Sequence, residues 1–132
     1  MLEKEQRQLM GSDVMDTHMI LVVEDEDESR QVLMQILELE GFKSVGASNG
    51  VEAMDYLHSS ELPCLIILDL LMPVMNGRQF RAALLEVAGL AKIPVVVVSA
   101  LDSSAISDLG VVRAFRKPLD IDALMRIVRE NC

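Results

Sequence analysis

The stretch from Leu65 to Gly77, Leu-Ile-Ile-Leu-Asp-Leu-Leu-Met-Pro-Val-Met-Asn-Gly, restricts the fold more than any other part of the chain. The apolar run from Cys64 to Leu68 has no alternation, which is the pattern of a strand covered on both faces. It meets a carboxylate at Asp69, Pro73 then stops any regular ladder, and Asn76-Gly77 supplies a turn and a helix start. An acid at the carboxyl end of a buried parallel strand lies where open α/β sheets bind ligands. Asp69 is therefore the first candidate for chemistry, against the plainer reading that it merely ends the strand.

The rest of the chain repeats this grammar. Met19 to Val23 is a short apolar strand running into Glu24-Asp25-Glu26-Asp27. From Ser29 to Glu40, apolar residues at Val32, Leu33, Ile36, Leu37 and Leu39 have helical spacing, and Gly41 is a natural stop. Phe42 to Ala47 reads as a second strand, and Ser48-Asn49-Gly50 turns it into a helix from about Val51 to Ser59. A third helix is expected from Asn76 or Gly77 to Val87, with Phe80, Ala83, Leu84 and Val87 on one face. Ile93 to Val98 is a β-branched strand ending in Ser99-Ala100; Asp102 to Leu109 reads as a weak helix and Val111 to Phe115 as a weak strand. Asp120 caps a last helix to about Glu130, with Ile121, Leu124, Met125 and Val128 as its apolar stripe. Strands and helices thus alternate five times, and right-handed crossovers of this length place helices on both faces of a parallel sheet. The fold class expected is α/β, a doubly wound five-stranded parallel sheet.

Bulk properties narrow the function. A chain of 132 residues, 51% hydrophobic and 25% charged, suits one domain with a substantial core. One Tyr and three Phe leave that core to aliphatic side chains. A net charge of −9 argues against nucleic acid and against anionic membrane as partners. Cys64 and Cys132 form no spaced framework and read as two thiols in a reducing compartment. With no signal-peptide pattern and no run of about 18 apolar residues, cytoplasm is the expected location. Residues 1–17 read as an N-terminal extension, a leader helix, an interaction arm or an artefact of expression, ahead of a domain covering residues 18–132.

Glu24-Asp25, Asp69, Ser99 and Lys117 all fall at strand ends, and in a parallel sheet those ends share one edge. In the order 2-1-3-4-5, the first and third strands are neighbours about 4.8 Å apart, which brings Asp25 and Asp69 together with Glu24 beside them. Two carboxylates about 4 Å apart repel by roughly 4 kcal/mol at an effective dielectric of 20. A proton, a divalent cation or Lys117 must offset that. An open, all-oxygen site of this kind suits Mg²⁺. The set reads as phosphoryl transfer, with Asp69 as nucleophile, the metal and Lys117 neutralising phosphoryl oxygens, and Ser99 donating a hydrogen bond to one of them. Taken singly, Ser99 could be a helix N-cap and Lys117 a solvated charge; their convergence argues otherwise. The first strand is followed by neither a P-loop nor a Gly-x-Gly-x-x-Gly turn, and its acidic turn would repel a flavin phosphate. A hydrolase like the haloacid dehalogenases wants a second Asp where Leu71 stands. His18, His58 and the cysteines lack zinc-ligand spacing, and His58 reads as a surface residue.

Ile20 to Asp27, Leu68-Asp69-Leu70-Leu71-Met72-Pro73-Val74-Met75-Asn76-Gly77, Val98-Ser99-Ala100 and Lys117-Pro118 resemble the receiver domain of bacterial two-component response regulators over about Met19 to Cys132. The resemblance implies the flavodoxin-like receiver fold and a phosphoacceptor signalling domain rather than an enzyme, with self-phosphorylation and self-dephosphorylation. It implies Asp69 as phosphoacceptor, and Mg²⁺ held by Asp25, Asp69 and the Leu71 backbone carbonyl, with Glu24 completing the acidic pocket. Ser99 would be the switch hydroxyl, Lys117 the phosphate contact, and the bond before Pro118 cis; Pro73 and Gly77 would shape the following loop. The implied partners are a histidine kinase or phosphotransfer protein, a downstream protein that reads the phosphorylated state, and a second copy in a homodimer.

Two departures stand out. The Asp25–Asp69 and Asp69–Ser99 separations, 44 and 30, are those of the family, whereas Ser99–Lys117 is 18. That is about four residues short, roughly one helical turn, so a shortened or irregular fourth helix is expected. The family carries an aromatic residue three positions before the lysine, where this chain has Ala114 with Phe115 next to it. Either the aromatic is absent or a shift in strand register lets Phe115 replace it. With no output domain after the fifth helix, a stand-alone receiver is expected. The alternative is a non-phosphorylated pseudo-receiver that acts as a constitutive interaction module.

Overall fold

The computed structural model describes residues 19–59, 61–69, 75–99 and 111–132. Its strands are β1 (Met19–Val23), β2 (Lys43–Ala47), β3 (Leu65–Asp69), β4 (Val95–Ser99) and β5 (Arg113–Arg116). They form one sheet in the order β2-β1-β3-β4-β5, every neighbouring pair parallel. This is the order 2-1-3-4-5 expected above. The described helices are α1 (Asp27–Leu39), α2 (Gly50–Ser59), α3 (Gly77–Leu85), the single turn α4 (Ala88–Ala91) and α5 (Ile121–Asn131).

Alternation along the strands divides the core into two layers. Leu21, Val23, Ile66, Leu68, Val95 and Val97 pack with Ala53 and Leu57 of α2, Phe80 and Leu84 of α3, and Leu90 of α4. Ile20, Val22, Ile67, Val96, Val98 and Phe115 face the other way, against Leu37 of α1 and Leu124, Met125, Ile127 and Val128 of α5. All five residues of β3 and of β4 are buried, which is why neither run alternates in sequence.

Helix ends follow local chemistry. Gly41 has φ +93°, Phe42 N–H donates to Leu37 O (2.9 Å) and Gly41 N–H to Glu38 O (3.0 Å), a Schellman stop that favours glycine. Asp120 accepts from Ala123 N–H and caps α5 as anticipated. Asn76 and Gln79 form a reciprocal capping box that starts α3 at Gly77. α1 begins two residues before Ser29, with Asp27 and Glu28 favourably placed in its first turn. Of its expected apolar face only Leu37 is fully buried; Val32 and Leu39 are exposed. α3 stops at Leu85, so Val87 leaves its face and precedes α4 instead.

The cysteines require a correction. Cys64 and Cys132, expected as thiols, are joined in a disulfide with Cα atoms 5.6 Å apart. Sixty-eight positions of sequence separation hid the fact that the start of β3 and the end of α5 meet at one edge of the fold. The thiol argument for a reducing compartment loses its basis. Among the described residues no helix is long and apolar enough to cross a membrane. The N-terminal extension, Leu71, Pro73 and the helix expected at 102–109, with its proposed shortening, lie outside the described residues.

Candidate functional site

Parallel pairing brings the carboxyl ends of β1, β3, β4 and β5 to one edge. Val23 pairs with Leu68, so Glu24 and Asp69 emerge side by side; Asp69 pairs with Val98, and Ser99 with Arg116, one residue before Lys117. Lys117 N–H donates to Ser99 O at 2.8 Å, extending the β4–β5 ladder by one bond. The Lys117–Pro118 peptide is cis.

The structure brings together Glu24, Asp25, Asp69 and Lys117. Glu24 and Asp69 are buried, Asp25 is exposed, and one carboxylate oxygen from each of the three lies within 4.8 Å of the others. Lys117 Nζ is 3.2 Å from Glu24 Oε1 and 3.6 Å from Asp69 Oδ2. Ser99 is fully buried at the end of β4. Strand alternation puts it on the face of Val97, toward α3, while Glu24, Asp69 and Lys117 follow the face of α1 and α5.

Burial, and then the neighbouring Asp69 charge, holds the Glu24 carboxyl above its ordinary range; the Glu26 N–H and Lys117 pull downward without cancelling this. Burial also works to lower the Lys117 pKa, but the Asp69 and Glu24 carboxylates outweigh it, so the ammonium is held above its ordinary value and stays cationic at neutral pH. Three carboxylates against one ammonium leave two uncompensated negative charges at the edge, matching one divalent cation. Oxygen ligands of an octahedral Mg²⁺ lie about 3 to 4 Å apart, and the oxygens of these three carboxylates lie within 4.8 Å of one another. The residues present therefore fit the metal. The site opens into a cavity of about 520 Å³ whose apolar wall includes Val32, Leu33 and Ile36 of α1 and Leu119 beyond Pro118.

The register of β5 resolves the aromatic question. Val97 pairs with Ala114 and Val98 with Phe115, so no shift occurs. Ala114 packs with the α2–α3 layer, on the side of Ser99, whereas Phe115 is buried in the α1–α5 layer with the Arg113 guanidinium 4.7 Å from its ring centre. Phe115 does not replace the absent aromatic. One contributor escaped the sequence reading: Arg30 Nη1 donates to the Glu24 carbonyl at 2.8 Å and Nη2 lies 2.6 Å from Asp27 Oδ1. Its signal was an arginine one helical turn after Asp27, on the same side of α1.

Comparison with known proteins agrees with this geometry. Residues 20–129 match the response regulator receiver domain family. Response regulator Rre1 of Synechocystis is 38% identical over 115 residues, covering 83% of this chain and 49% of its own, so the chain spans about half of that relative. Sporulation initiation phosphotransferase F of Bacillus subtilis is 31% identical over 115 residues, covering 84% of this chain and 90% of its own. Among solved structures, response regulator TrrA of Thermotoga maritima in complex with Mg²⁺-BeF superposes with a TM-score of 0.76 at 27% identity, covering 86% of this chain and 98% of that one. The chain belongs to the response regulator receiver domain family of two-component systems.

Proposed function

We propose that Asp69 accepts a phosphoryl group from the phosphohistidine of a histidine kinase or phosphotransfer protein, with Glu24, Asp25 and Asp69, and the Leu71 carbonyl, holding Mg²⁺. The observation that carries this reading is the convergence of three carboxylates and Lys117 on one sheet edge. An Asp69 carboxylate oxygen forms the new bond to phosphorus as the donor nitrogen–phosphorus bond breaks, leaving an acyl phosphate on Asp69 and a neutral imidazole on the donor. A cation held by Glu24, Asp25 and Asp69 would supply positive charge to offset that of the phosphoryl oxygens. Lys117, cationic and already within 3.6 Å of Asp69, pairs with one of those oxygens. Ser99 supplies a hydroxyl to another as the chain adjusts to the new charge. The apolar wall formed by Val32, Leu33 and Leu119 gives the donor a desolvated seat beside the acceptor. A partner protein then reads a site that has gained roughly two negative charges.

Ala114 supports a second reading, a pseudo-receiver that docks constitutively, because the side chain expected to follow Ser99 inward is reduced to a methyl group. Intact mass after incubation with acetyl phosphate and Mg²⁺ separates the two. The expected result is a single phosphoryl adduct that disappears with chelator and in Asp69→Asn. A chain that stays unmodified, also with a competent phosphohistidine donor, acts as the docking module.

A further inference from the structure

Among the hydrogen bonds of the described residues that hold the acidic turn between β1 and α1, three involve Glu24 and its neighbours in the turn, in β2 and in α1. Glu24 N–H donates to Ala47 O of β2 at 3.0 Å, Glu26 N–H donates to the Glu24 carboxylate at 3.2 Å, and Arg30 Nη1 donates to the Glu24 carbonyl at 2.8 Å. The first holds the end of β1 and the second holds a side chain. Only the third grips the peptide that joins Glu24 to Asp25. That peptide is a rigid plane, so fixing its oxygen fixes the direction in which the chain enters Asp25. The guanidinium is itself held by Asp27, and the Arg30 side chain is only 16% exposed although it lies early on a surface helix.

The arginine has a prepared seat. A Cβ at Gly46 would lie 2.9 Å from Arg30 Cδ, 3.2 Å from its Nε and 2.9 Å from Met34 Sδ. Gly46 pairs with Val22 in the β1–β2 ladder and takes no part in the acidic cluster. A side chain at this position would push the flexible ends of Arg30 and Met34 aside, so the glycine leaves room for the arginine where it lies.

We infer that Arg30, seated over Gly46, is a positioning residue for the cation site: it pins the Glu24–Asp25 peptide so that the Asp25 carboxylate stays beside those of Glu24 and Asp69. Without that grip, repulsion from two buried neighbours turns Asp25, the exposed member of the three, toward solvent. The inference rests on the reading of the cluster as a divalent-cation site. It also makes a prediction of sign. A guanidinium near a cation site disfavours the cation by charge alone, so removing an arginine with no positioning role tightens Mg²⁺ binding; removing a positioning arginine weakens it.

The test is Mg²⁺ titration of the full chain, followed through the backbone amide signals of Asp25 and Asp69, with thermal melts of the metal-free proteins alongside. Arg30→Ala is expected to bind Mg²⁺ roughly tenfold more weakly than the unaltered chain. Arg30→Lys keeps the charge but lacks the planar fork that reaches both oxygens, and is expected to weaken binding too. Gly46→Val keeps the arginine but displaces it, and is expected to move affinity in the same direction. Equal or tighter binding by Arg30→Ala overturns the inference; if that variant does not fold, unchanged affinity in folded Arg30→Lys and Gly46→Val does so. An unaltered chain that shows no saturable Mg²⁺ binding overturns the cation reading itself, and this inference with it.

Discussion

Glu24 carries a cost that its neighbours reveal. Burial and the adjacent Asp69 charge hold its carboxyl above the ordinary range, so ionisation of this residue opposes folding in the absence of metal. Replacing the charge while keeping the shape relieves that opposition. Glu24→Gln is expected to raise the metal-free melting temperature by roughly one to three degrees, and to shrink the further rise that Mg²⁺ produces in the unaltered chain. Differential scanning calorimetry with and without Mg²⁺ reads both effects. A lower metal-free melting temperature would show that the contact with Lys117 outweighs the repulsion. Lys117 answers the opposite pull: its two carboxylate neighbours raise its pKa against burial, so it stays an ammonium at neutral pH.

Among the elements, the short α2 depends on its first turn. Asn49 Oδ1 accepts from Glu52 N–H at 2.9 Å, and Glu52 Oε1 accepts from Ser48 N–H at 2.8 Å, so the polar turn read between the second strand and second helix is a cap built from both directions. The Ser48 hydrogen bonds hold the Glu52 carboxyl below its ordinary value of 4.5. A depressed folded-state pKa contributes stability that is complete above 4.5 and lost as pH falls through the lower folded value. The unaltered chain is therefore expected to lose more stability below that pH than Glu52→Gln. The difference is at most about 0.5 kcal/mol because the carboxylate faces solvent. Urea midpoints measured across the acid range check this, and parallel curves would remove Glu52 from the cap.

Across the whole molecule, the disulfide closes a loop that contains β3, β4, β5 and α5, and with them Asp69, Ser99 and Lys117, while Glu24 and Asp25 lie outside it. A loop of this length restricts the unfolded chain by roughly 4 kcal/mol in the chain-entropy account. Cys132→Ser is expected to melt about ten degrees lower than the oxidised chain, and reductant is expected to lower the unaltered protein by a similar amount. Coincident melting of all three forms would show that the linkage contributes nothing to stability.

The order of strands and helices was legible because it depends on neighbours in sequence. Unbroken aliphatic runs at β3 and β4 announced burial on both faces, and Gly41 and Asp120 marked helix ends through bonds spanning a few residues. The edge carrying Glu24, Asp25, Asp69 and Lys117 was legible for a related reason: parallel pairing gathers every strand's carboxyl end at one side. Other features arise where distant segments touch. The joining of Cys64 to Cys132, the side of the sheet on which Phe115 is buried, and the seat of Arg30 over Gly46 have no local pattern. Val32 and Leu39 share helical spacing with Leu37, yet only Leu37 is covered, because periodicity gives a helix its face while the packed sheet sets how much of that face it can hide.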